Sequence, residues 1–183
     1  MPESALAPED VLAFWFEEAD RALWFGKDDD FDALIRQRFG DLHAELAKEV
    51  PGAWLGTREG VLAAIIVLDQ FSRNLFRGDG RSYAQDADAL SLANLAIDRG
   101  WDGTYADDEK QFLYMPFMHG EHIDIQNRAV ELYDAAKLKQ PAEFARKHRD
   151  VILEFGRFPG RNAALGRENS APEQAYLDDG GGF

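Results

Sequence analysis

The side chains with most chemistry to offer fall in three short segments. The first is Asp69-Gln70-Phe71-Ser72-Arg73-Asn74, continuing to Arg77. Asp69 follows the most apolar stretch of the chain, and a carboxylate at a helix exit faces an unfavourable dipole. Arg73 lies four residues on, where it shares a face with Asp69 if the helix continues. Two readings stay open: a structural ion pair that fixes the helix exit, or an Asp-held arginine that presents its guanidinium to a ligand.

The second segment is Arg157-Phe158-Pro159-Gly160-Arg161-Asn162, and it echoes the first. Each has an aromatic residue, then Arg-Asn, a short apolar step, and an arginine beside a glycine: Arg77-Gly78 in one, Gly166-Arg167 in the other. Arg73, Arg77, Arg81, Arg157, Arg161 and Arg167 thus sit among Phe, Gly and Asn, in a chain that has few cations. A guanidinium fork matches a carboxylate or phosphate, and equally ties loop carbonyls and acids together.

The third segment runs from Tyr114 to Asp124 and carries His119, Glu121, His122 and Asp124. Histidines with nearby carboxylates are the residue types that ligate metals, but this spacing matches no zinc or di-iron signature, and no metal is expected. His119 and Glu121 are the candidate acid-base groups of a hydrolase, although no nucleophile is marked beside them. His43 and His148 lie in ordinary helical patterns. The chain shows no P-loop, dinucleotide fingerprint or nucleophile elbow, so no cofactor is expected. Phe14, Trp15, Phe16, Trp24, Phe25 and Trp54 are of a type that lines pockets, but at helical spacing they read as core.

The elements that must position these groups are helices. Pro8-Glu9-Asp10 opens a first one. Asp28-Asp30 opens a second, whose apolar positions Phe31, Ile35, Phe39, Leu42 and Leu46 step by four and three. Thr57 caps a third that carries the wholly apolar run Val61-Leu68, and so belongs at the centre of the fold. Further helices read as Ala84-Asp98, from Asp107 or Asp108 to a kink or end at Pro116, Ile123-Leu138, and Gln140 to about Phe155. Ser170-Ala171-Pro172-Glu173 is a capping box for a last short one. That makes seven to eight helices, no strand, and one domain over residues 1–183, with a flexible glycine-rich tail at about 179–183. Short connections imply antiparallel helical hairpins.

Composition narrows the partners. A formal net charge of -14 repels nucleic acid and anionic membranes at long range, so neither is expected as a partner. No apolar run approaches the roughly 20 residues of a membrane span. The opening residues, Met1 to Asp10, lack the basic start and apolar stretch of a secretory signal. With no cysteine in the chain, the cytoplasm is the expected location.

Three runs carry a family resemblance: Leu68 to Gly78, Phe112 to Glu121, and Phe155 to Asn162, with Val11-Phe16 and Trp24-Phe25 ahead of them. In this order, over nearly the whole length, the chain resembles the domain-of-unknown-function family 924. The resemblance implies a tetratricopeptide-like superhelix and no assigned activity. It also marks three departures, since Ser72, Gly120 and Gly160 stand where relatives usually have proline, serine and histidine.

The leading expectation is a binding protein for a small anion or an acidic peptide end. Arg73, Arg77, Arg157 and Arg161 would hold the ligand, with Asp69 orienting Arg73 and with Asn74 and Asn162 adding amide contacts. The alternatives are the hydrolase with His119 and Glu121, and a purely structural polar network. The three segments are expected to share a site.

Overall fold

The computed structural model describes residues 6–183. The first five residues of the opening stretch, read above for a missing signal, lie outside the described residues. Among those described, every regular element is helical, which bears out the all-α expectation, with nine helices where seven to eight are expected. The chain divides into two compact units: 6–77 with 81–104, and 78–80 with 105–183.

The first unit is built round one buried helix. Thr57 caps it by accepting the Gly60 amide at 3.0 Å. It runs α-helical over Arg58–Ile65, π-helical over Ile66–Phe71, and α-helical again over Ser72–Leu75. From Gly60 to Ser72 it is buried throughout, as an apolar run without a polar face requires. Gly60 is obligatory, because a Cβ there would lie 2.2 Å from the Trp54 carbonyl oxygen. The helix Pro8–Ala13 and the helix Asp86–Asp98 pack on its first part. Asp29–Leu46 packs on its last part, after Asp28 starts that helix by accepting the Phe31 amide at 2.8 Å. Phe14, Trp15, Phe31, Phe39 and Phe71 fill the space between, with Phe39 and Phe71 centroids 5.0 Å apart. Most of the early aromatics are therefore core, while Phe25 remains 62% exposed.

The second unit stacks consecutive helices: Asp107–Met118 on Ile123–Ala135, and that on Lys139–Phe155. Pro116 does not stop the first of these, which ends at Met118. Gly156, at φ +72°, ends the long one in the left-handed conformation that glycine adopts without strain. A 3-10 turn over Pro159–Arg161 then leads to Ala171–Asp178, where Ser170 and Glu173 form the expected capping box.

Among the described residues no helix is long and apolar enough to cross a membrane. No group of three or more His, Cys, Asp or Glu side chains among them is arranged to hold a metal ion.

Candidate functional site

Asp69 does not stand at a helix exit. The π-helical turn carries the helix past it to Leu75, which leaves Asp69 fully buried inside the element. This corrects the sequence reading. Because the helix continues, Asp69 and Arg73, four residues apart, share a face. The Arg73 guanidinium lies 3.4 Å from the Asp69 carboxylate and donates to the Asp69 carbonyl at 2.9 Å. Its fork, however, grips Asp86, at 2.9 and 3.1 Å. Burial weighs against the charge on Arg73, but Asp69 and Asp86 outweigh it and hold the guanidinium more firmly protonated than usual. Gln70 donates to the second Asp69 oxygen at 2.5 Å.

Asn74 and Arg77 converge on one carboxylate that the sequence reading missed. Asn74 donates to Asp32 at 2.8 Å, and Arg77 approaches it through Nε and Nη2, both at 2.8 Å. Burial opposes ionisation of Asp32, yet these hydrogen bonds and the charges of Arg77 and Arg36 hold its carboxyl below the ordinary range. Ser72 donates to the Leu68 carbonyl at 2.6 Å and lies 2.7 Å from His43 Nε2. With its own proton spent on Leu68, Ser72 receives the His43 N–H. Arg81 lies with its guanidinium 4.5 Å from the Phe76 ring centroid.

In the second unit His119, Glu121, Arg161 and Asn162 come together. Gln126 fixes the turn after Met118 by donating to the Met118 and Gly120 carbonyls at 2.6 and 2.7 Å. Glu121 on that turn receives Arg167 in a fork at 2.8 and 2.9 Å and the Phe158 amide at 2.8 Å. Burial raises its carboxyl pKa, and these donors, with the charges of Arg161 and Arg167, bring it below the ordinary value. Arg161 donates to the His119 carbonyl at 2.9 Å and lies over the Phe158 ring, 4.6 Å from its centroid. Asn162, fully buried, accepts from Arg167 Nε and donates to Asn169, both at 2.8 Å.

Arg157 points to another corner of the same unit. It grips Glu173 at 2.6 and 2.9 Å and the Glu168 carbonyl at 2.8 Å. The hydrogen bond from Arg157 and the Ser170 amide hold Glu173 well below the usual carboxylate range. An open cleft of about 460 Å³ lies there, lined by Glu154, Phe155, Arg157, Ser170, Pro172 and Glu173.

The surroundings of Gly160 are occupied. Its amide donates to the Phe183 carbonyl at 2.7 Å. The Phe183 ring lies against His148, with centroids 3.9 Å apart, and packs on the cluster of Val151, Ile152 and Phe158. The glycine-rich stretch read as flexible thus makes defined contacts with the second unit. Residues whose part in these contacts sequence reasoning missed are Asp32, Asp86, His148 and Phe183. None of them lies within a recognisable motif.

A model of the bacterial proteins of unknown function DUF924 matches residues 11–181. The fold is similar to the solved structure of a protein of unknown function from Agrobacterium tumefaciens, at 40% identity and a TM-score of 0.89, covering 94% of this chain and 97% of that one. No curated protein matches the chain.

Proposed function

The chain belongs to the DUF924 family of bacterial proteins, and from that premise, which brings no reaction with it, we propose a cytoplasmic binding module for an acidic peptide segment, held at the Gly160 corner of the second unit. One observation carries this reading. The chain's own Gly180-Gly181-Gly182-Phe183, which follows the exposed acidic pair Asp178-Asp179, is held there through Phe183. Gly160 supplies a backbone donor, the Tyr176 hydroxyl lies 3.4 Å from the Phe183 amide, and His148 and Phe158 receive the ring. Main-chain hydrogen bonds together with a pocket for one side chain are how folded domains take up peptides.

The same geometry favours a peptide over a free anion. Arg73, Arg77 and Arg157 spend their forks on Asp86, Asp32 and Glu173. It also favours binding over hydrolysis. The hydrogen bonds of the Glu121 carboxylate go to Arg167 and Phe158, so it acts as an anchored charge and not as an acid-base partner of His119. The polar groups of the first unit serve as internal ties.

The test is isothermal titration of a peptide with the sequence of residues 176–183 into a variant that ends at Asp179. Saturable one-to-one binding is the expected result. No heat and no chemical-shift change at millimolar peptide would end the reading.

A further inference from the structure

Resting on that reading, we propose that residues 180–183 are an internal occupant that closes the site, and that the site selects a segment with an aromatic residue after glycines. Two fits in opposite directions support this. The site is shaped to the segment: a Cβ on Gly160 would lie 2.9 Å from the Phe183 carbonyl oxygen and 3.0 Å from that of Gly182. Both are backbone atoms, so a side chain at position 160 forces the segment out of this seat or to shift within it. The segment is shaped to the site as well. A Cβ on Gly181 would lie 2.4 Å from the Tyr176 ring, and Gly180 turns at φ +87°. The glycines therefore bring the chain down onto Tyr176 and deliver Phe183 to His148.

The aromatic pocket has fixed walls. His148 Nδ1 lies 2.8 Å from the Phe144 carbonyl, which accepts from it and holds the imidazole in one orientation. Phe158, 1% exposed, meets the imidazole edge-on at 5.6 Å. A flat ring laid on His148 meets its face at 3.9 Å and a tilt of 34°, a geometry no aliphatic side chain reproduces. Phe183 itself is only half-buried, and its backbone is held by one hydrogen bond of ordinary length and one long one. The segment is thus seated without being locked, as a displaceable strap requires.

The experiment has two independent readouts on the full chain, the Phe183→Ala variant and the variant ending at Asp179. The first is hydrogen exchange of the Gly160 amide, which reports the strap in place. Exchange is expected to be at least tenfold faster in both variants than in the full chain. Equal exchange in all three overturns the strap. The second is binding of the 176–183 peptide, with its Phe→Ala analogue as control. Binding is expected to be at least tenfold tighter to the variant ending at Asp179 than to the full chain, and lost with the analogue. Equal affinity for both proteins overturns closure while the binding function stands, and undiminished binding of the analogue overturns aromatic selection. Faster Gly160 exchange with no peptide binding upholds the strap and overturns the binding function. Gly160→Ala gives a further check, since it is expected to loosen the strap and weaken peptide binding together.

Discussion

The two units use the same chemistry, an arginine fork on a carboxylate, in different settings. In the first unit the acids project from the sides of packed helices. Asp69 is fully buried and Asp32 nearly so, and their arginines come from one short stretch, 73–77. In the second unit Glu173 is likewise buried on a helix, but Glu121 sits on a loop. Glu121 is one quarter exposed, and its partners are a loop arginine and a loop amide. The difference teaches what each knot does. A charge sealed between helices is strongly destabilising once its partner is removed. A charge on a loop keeps part of its hydration, so its partners chiefly fix where the chain runs. In the second unit what they fix is the 157–162 turn, and with it the amide of Gly160.

The largest expected effect tests the sealed side of this comparison. Arg73→Met removes the cation from between Asp69 and Asp86, and stability measured by urea denaturation should fall by about 3–5 kcal/mol. Adding Asp69→Asn should restore part of that loss, because no unpaired charge is then left inside the helix. A fall below about 1 kcal/mol, the range of an exposed pair, breaks the comparison. Glu121→Gln on the loop side should cost less, about 1–2 kcal/mol, and should loosen the 157–162 turn in hydrogen exchange. If the loop variant proves the more destabilised of the two, the assignment of roles is reversed.

pH sharpens the contrast. His43 is pushed down by burial, so the unfolded chain takes up its proton first. Its contribution is complete above about pH 6.5, the ordinary histidine value, and is lost as pH falls towards its lowered value in the fold. Asp32, Glu121 and Glu173 are likewise held low, which places their contributions above about pH 4 and their loss below it. Denaturation midpoints should therefore decline in two steps. The upper step belongs to the first unit and should vanish in His43→Gln, while the lower should remain. A single step near pH 4 in the native chain rejects the role given to His43.

How much of this was legible depends on how local each signal is. The helix Asp29–Leu46 was readable from its apolar stepping, and the caps Thr57 and Ser170 from residue type and position, because those causes lie within a few residues of their effects. The continuation past Asp69 was not, since a π-helical turn leaves no mark in residue spacing. The Asp69-Arg73 contact was readable, but its stronger partner Asp86 was not, nor was the meeting of Glu121 with Arg167, 46 positions apart. Which acid an arginine finds is decided by packing, and sequence separation carries no trace of it. Glycines 180–182 read as a flexible tail because the partners that seat them, Tyr176 and Gly160, matter only once the second unit is folded.

The smallest expected effect concerns the two helix caps. Thr57 and Ser170 perform the same task, accepting the amide three residues on, and each alone is worth about 1 kcal/mol on replacement by alanine. Their surroundings differ. Thr57 accepts at 3.0 Å and has no reciprocal partner in a capping box. Ser170 accepts at 3.3 Å, a weak bond, while the Glu173 carboxylate accepts the Ser170 amide at 2.7 Å. That second bond survives Ser170→Ala, because Arg157 holds Glu173 in place from the other side. Thr57→Ala should therefore cost about 1 kcal/mol and Ser170→Ala about 0.5 kcal/mol, read as shifts in denaturation midpoint at constant slope. In an Arg157→Met background the anchor of Glu173 is gone, and the cost of Ser170→Ala should rise to that of Thr57→Ala. Equal costs in both backgrounds mean that Arg157 does not support the cap, and the pair at the mouth of the cleft is then a surface contact alone.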